Sequence, residues 1–205
     1  MDDPLYRAVV EIAADAPGWV RAPAEMGTDG VLVVFAVLML AAWWRARRMG
    51  GERMAVALLA PVGMIASYAV SEIVKEVVRE DRPCRALRGV ATILPCPEVG
   101  DWSWPSNHAT LMAAAAAGLV MAWRALAPFV VPLALLGGGT RVFLGVHYPL
   151  DVVAGLTLGA VMASVLLLAL RRPVTGLVLR LRGLPGWRPL LACEDTRAPV
   201  RRRRI

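Results

Sequence analysis

Five long apolar runs constrain what this chain can become. They cover residues 31–44, 54–70, 109–123, 129–146 and 152–170, separated by short polar links and one long loop. A chain of 205 residues that is 58% hydrophobic is too apolar for an ordinary soluble domain. The runs read as membrane-crossing helices, because only helices and closed barrels satisfy their backbone within lipid. The predicted fold class is therefore all-α: an integral membrane helical bundle of about five transmembrane helices. The first run is short and, taken alone, also suits a buried core helix. Pro61 marks a kink in the second run, whose helical pattern continues to Val78 and carries Lys75 to the end of the span.

Three regions follow. Residues 1–30 form an N-terminal segment in which Leu5, Val9, Val10, Ile12 and Ala13 give one apolar face, interrupted by Arg7, Glu11 and Asp15. An amphipathic helix lying on the membrane is expected there, ended by a turn at Gly27–Gly30. Its start is acidic and lacks the basic flank of a secretory signal, so the first apolar run is expected to stay in the protein. Residues 31–170 form the transmembrane domain. Residues 171–205 form a basic tail in which Pro173, Pro185, Pro189 and Pro199 oppose a compact fold.

Charge placement gives an orientation. With alternating spans, Arg45, Arg47, Arg48, Arg53, Arg124, Arg171 and Arg172 fall on one side, together with Arg180, Arg182, Arg188, Arg197 and the arginines at 201–204. The positive-inside rule makes that side cytoplasmic and the chain a multi-pass protein of the cell membrane with a cytoplasmic C-terminus. Nucleic acid is not the expected partner of the +7 net charge. The tail suits anionic lipid, at roughly 1 kcal/mol per basic residue near the surface. The same alternation gathers Lys75, His108, Arg141, His147 and Asp151 at the opposite rim. Ionisable groups cost about 2.5–3.5 kcal/mol each at a helix centre on insertion scales, so charge kept at that depth points to function. His147 and Asp151 are four apart, which places them on one helix face and lets the carboxylate fix the imidazole tautomer.

In chain order, Lys75 and Arg82-Pro83 are followed by Pro105-Ser106-Asn107-His108 and then by Arg141, His147 and Asp151. These blocks resemble the type 2 phosphatidic acid phosphatase (PAP2) superfamily, whose pattern is K-x6-RP, PSGH and SR-x5-H-x3-D. Thr140 replaces the usual serine and Asn107 the usual glycine. The resemblance implies His147 as nucleophile, Asp151 as its orienting carboxylate and His108 as general acid and base. It implies Lys75, Arg82, Ser106, Asn107 and Arg141 as phosphate ligands, with no cofactor and no metal. Glycine at the Asn107 position would let a backbone N–H approach the phosphate, and asparagine is the next most tolerant of left-handed backbone. The implied activity is a membrane lipid phosphatase acting on a phosphate or diphosphate monoester, undecaprenyl diphosphate foremost, with phosphatidic acid or phosphatidylglycerol phosphate as the alternative. A non-catalytic lipid carrier or scaffold is the reading from another class. Arg79, Arg85 and Arg88 are expected to be solvated. Cys84 and Cys96 share the loop at 79–107, where an oxidising exterior permits a disulfide.

Overall fold

The computed structural model describes residues 3–191; Cys193, Arg197 and the arginines at 201–204 lie outside them. In chain order the helices are α1 (Pro4–Asp15), α2 (Gly18–Ala46), α3 (Gly51–Val78), α4 (Pro83–Ala86), α5 (Asn107–Ala122), α6 (Ala127–Phe143), α7 (Pro149–Arg182) and α8 (Arg188–Leu191). No strand occurs among the described residues. The segments Gly18–Ala46, Gly51–Ala86, Arg124–Phe143 and Pro149–Arg182 are long and apolar enough to cross a membrane. Helix α5, with 16 residues, is shorter. It is the central helix, touching α2, α3, α6 and α7.

The bundle is apolar outside as well as inside. In α2 the buried residues Thr28, Phe35, Met39, Ala42 and Ala46 form one stripe, while Val33, Val34, Val37 and Leu40 point outward. Ile65, Ile73, Leu135, Leu136, Val153, Val161 and Val165 are likewise exposed. Such a surface is stable only against lipid. Inside, close approach replaces large side chains. A Cβ added at Gly159 would overlap the Thr110 carbonyl, and one at Gly155 the Ser106 carbonyl. These two positions seat α7 directly on the start of α5, the small-residue packing that membrane helices use.

Two boundaries differ from the sequence reading. The chain breaks at Ala16 and Pro17, not at Gly27–Gly30, and α2 runs helically through both glycines. Each glycine costs about 1 kcal/mol relative to alanine, which a 29-residue helix with packed neighbours absorbs. The proposed tail also does not begin at 171. Helix α7 continues through Pro173 to Arg182 because Val174, Val178 and Leu181 keep helical spacing and pack on the main core. Arg182 Nη2 ties this extension to the Met49 carbonyl at 3.1 Å.

Helix α1 starts sharply: Asp3 accepts hydrogen bonds from the Leu5 and Tyr6 N–H groups at 3.0 and 3.1 Å, and Pro4 takes the first helical position. Part of its apolar face is covered by protein: Tyr6, Val10 and Ala13 are buried, while Leu5 and Ile12 stay exposed. Tyr6 and Val10 are buried against Ala109, Val142 and Val152. The Tyr6 hydroxyl donates to the Gly145 carbonyl at 2.9 Å, and its ring tilts against Tyr148 with centroids 5.5 Å apart. Burial, then the neighbouring Tyr148, push the Tyr6 pKa up to about 12, so the hydroxyl remains a donor.

Candidate active site

The polar residues of the three sequence blocks meet where four helix ends meet. Lys75 lies in the last turn of α3 and Arg141 in that of α6; His108 opens α5 and Asp151 opens α7. Lys75, Arg82, Ser106, Arg141, His147 and Asp151 are all buried. Buried charge must be paired or must serve a ligand.

His147 stands in the short link between α6 and α7. The link turns at Gly145, whose φ of 82° is the left-handed region that favours glycine. His147 Nδ1 faces Asp151 Oδ2 at 3.3 Å, and Nε2 faces Arg82 Nη1 at 3.1 Å. A guanidinium only donates, so Nε2 carries the lone pair and Nδ1 the proton. Burial pushes the His147 pKa well below its ordinary value, and the charges of Arg82, Arg141 and Lys75 act in the same direction. The ring is held neutral, with its lone pair turned toward a group of cations. Asp151 Oδ2 also accepts from the Tyr148 N–H at 2.8 Å and from the Ser103 hydroxyl.

Two of the cations share a carboxylate. Lys75 Nζ and Arg82 Nη2 reach Asp101 Oδ1 at 3.0 and 2.8 Å. Arg82 Nε donates to the Asp101 carbonyl at 2.9 Å, and Nη1 donates to the Val146 carbonyl at 3.0 Å. Partial burial pushes the Asp101 carboxyl up, but hydrogen bonds from Arg82 and Lys75 outweigh it and hold its pKa below the usual carboxylate value. Arg141 differs: its Nε is buried without a hydrogen-bond partner, as is the Ser106 hydroxyl. Helix α5 has no side-chain cap, so its first N–H groups are free of intrahelical acceptors as well. Donors lacking acceptors at one helix N-terminus suit an anion with several oxygens.

His108 is half-buried, and its Nε2 lies 3.1 Å from Asp29 Oδ1 of α2. Arg141 is within electrostatic reach of both histidines. Asn107 does not use left-handed backbone. It is the first residue of α5, and Arg79 is the one non-glycine with positive φ among the described residues. The Asn107 side chain is held by its neighbours, accepting from the Ser71 hydroxyl at 2.7 Å and donating to Glu72. Arg85 is only partly solvated. Its guanidinium donates to the carbonyls of Pro97, Glu98 and Asp101 and so braces the loop. Cys84 and Cys96 are joined by a disulfide in that loop. Among the described residues no group of three or more His, Cys, Asp and Glu side chains is arranged to hold a metal ion.

Sequence reasoning missed Asp101, Ser103, Asp29 and Tyr6. Asp101 and Ser103 sit immediately before the Pro105-Ser106-Asn107-His108 block, and that adjacency was their only signal. Asp29 and Tyr6 carried none, since neither belongs to a spaced motif.

Comparison with known proteins identifies the family. A family model for the PAP2 superfamily matches residues 56–174. A decaprenylphosphoryl-5-phosphoribose phosphatase of Mycobacterium tuberculosis is 36% identical over 110 residues, covering 53% of this chain and 58% of the relative. The chain thus spans little more than half the length of that relative. An undecaprenyl-diphosphatase of Bacillus subtilis is 28% identical over 156 residues, covering 75% of this chain and 78% of the relative. The fold resembles the crystal structure of a transmembrane PAP2-type phosphatidylglycerolphosphate phosphatase from Bacillus subtilis, with a TM-score of 0.59 at 20% identity, over 82% of this chain and 85% of the other. Matched over more than half its length by the family model, and carrying the superfamily's three blocks at one end of an all-helical bundle, the chain belongs to the PAP2 superfamily.

Proposed function

We propose that this protein is a membrane lipid phosphatase that removes a phosphate or diphosphate from a polyprenyl-linked lipid through a phosphohistidine at His147. The observation that carries the reading is the neutral, buried imidazole with its Nε2 lone pair turned toward Arg82 and its Nδ1–H held by Asp151. In the first step Nε2 forms a bond to phosphorus as the bond from phosphorus to the leaving oxygen breaks. His108 gives that oxygen its proton. In the second step His108 takes a proton from water, the water oxygen bonds to phosphorus, and the phosphorus–Nε2 bond breaks to release phosphate and restore the imidazole. Asp151 stabilises the positive charge that the ring carries in between. Lys75, Arg82 and Arg141, with the Ser106 hydroxyl and the first N–H groups of α5, hold the phosphoryl oxygens.

Undecaprenyl diphosphate is the substrate we place first. Two relatives from separate bacteria carry names that describe polyprenyl-linked phosphates, and the outward apolar helix faces suit a long isoprenoid tail. Phosphatidic acid and phosphatidylglycerol phosphate are the competing substrates. The cations supply the charge stabilisation that a metal supplies elsewhere, so the reaction is read as metal-independent, and a chelator should leave the rate unchanged. The catalytic end is assigned to the exoplasmic face, because the loop arginines gather at the other end and a disulfide belongs in an oxidising compartment.

The test is phosphate release from a panel of these lipids by detergent-solubilised wild type and His147→Ala. Loss of the nucleophile should cost about a thousandfold or more in turnover. A His147→Ala protein that keeps wild-type turnover would instead support a carrier or scaffold whose phosphate release comes from a contaminant.

A further inference from the structure

The end of the bundle away from His147 holds a second cleft. Three elements deliver one arginine each to it: Arg53 from the first turns of α3, Arg124 from the turn at Arg124–Leu126, and Arg171 from the far half of α7. The cleft measures about 570 Å³. Its floor is apolar, formed by Val56, Val120, Met121 and Leu168, with the Ser164 hydroxyl on one wall. Arg172 and Thr175 extend its rim.

The charge balance in this cleft is uneven. Glu52 is its one acid, and it lies 3.7 Å from Arg171, with both groups largely in the open. No carboxylate among the described residues lies within ion-pair distance of Arg53 or Arg124. The N-terminus of α3 opens beside them with no side-chain cap, which adds the positive end of a 28-residue helix. A topology signal needs arginines in loops. It does not need arginines distant in sequence to converge over an apolar floor between three helices.

We propose that this cleft is a binding site for the phosphate headgroup of an anionic phospholipid, the acyl chains running along α3, α5 and α7. The occupant is an amphiphile because the charged rim sits directly above apolar wall, the order in which a lipid presents phosphate and hydrocarbon. The volume falls in the range of sites that enclose a group of this size. The site does not depend on the proposed chemistry at His147, and its residues touch none of that machinery.

The experiment places the full chain in phosphatidylcholine nanodiscs with a trace of photoactivatable phosphatidylglycerol, its diazirine near the headgroup, and maps labelled peptides by mass spectrometry. Label is expected in peptides covering 52–56, 120–124 and 164–171. Unlabelled phosphatidylglycerol should displace it, and inorganic phosphate at equal concentration should not. Arg53→Gln/Arg124→Gln should weaken the half-displacing concentration roughly thirtyfold, and Arg53→Lys/Arg124→Lys should restore most of it. Melting temperatures in phosphatidylcholine alone, equal for wild type and both variants, exclude misfolding as the cause. Equal labelling by a phosphatidylcholine probe would overturn the site, as would displacement by inorganic phosphate, indifference to the glutamine variant, or label confined to peptides around 75–82 and 106–108.

Discussion

Two residues that carry no motif shape the chemistry of those that do. Ser103 is fully buried and gives its hydroxyl to the same Asp151 oxygen that faces His147. Three donors on one carboxylate oxygen fix its direction, and through it the tautomer of the imidazole. Ser103→Ala removes one of them, a loss of about 1 kcal/mol, so turnover should fall roughly five- to tenfold with KM unchanged. Steady-state kinetics on a soluble short-chain analogue checks this, and Ser103→Thr should recover most of the rate. Asp101 acts on Lys75 and Arg82 instead. Its carboxyl pKa is lowered in the folded protein, so its contribution to stability is complete above the unfolded value of about 3.9 and disappears as pH falls through the folded value. Asp101→Asn should therefore lower the melting temperature at pH 7, and the gap from wild type should close below about pH 4. The carboxylate is half-exposed, so solvent screening keeps the effect modest.

At the scale of elements, the link between α6 and α7 that carries His147 is held from an unexpected side. Helix α1 lies outside the region matched by the family model, yet its Tyr6 caps the Gly145 carbonyl two residues before His147. Tyr6→Phe keeps the ring and deletes the hydrogen bond, for a loss of about 1 kcal/mol. Hydrogen exchange should accelerate in the link at 144–148 and stay unchanged in the core of α5. The seating of α7 on α5 is stricter, because the Thr110 carbonyl fills the place of a Cβ at Gly159. Gly159→Leu should cost about 3 kcal/mol or more and should appear as a large drop in melting temperature in detergent. The apolar runs were legible here because burial and lipid both demand them. The ends were not. Gly27 and Gly30 looked like a turn and Pro173 like a stop, but each residue sits in a helix whose neighbours pack well enough to override local preference.

For the whole molecule, up-and-down helices bring three separated blocks of sequence to one end of the bundle, with Lys75, Arg82, His108, Arg141, His147 and Asp151 at a single rim. Span alternation placed Lys75, His108, Arg141, His147 and Asp151 at that rim, and Arg82 was added by the resemblance to the PAP2 pattern. Asp101 and Ser103 were not readable, because the loop at 79–107 has no periodicity from which to place a side chain. Asp29 was hidden for a different reason: its partner His108 lies 79 residues away, and the contact exists only once α2 packs beside α5. The opposite rim holds the arginine cleft, so the bundle meets the two membrane surfaces with different chemistry. The proposed two-step transfer through His147 is read directly by the stereochemical course at phosphorus. Hydrolysis in ¹⁷O-water of a substrate carrying a chiral ¹⁸O-labelled thiophosphate should give inorganic thiophosphate with retained configuration, the product of two successive inversions. Inverted product would mean that water attacks phosphorus directly and that no phosphohistidine forms.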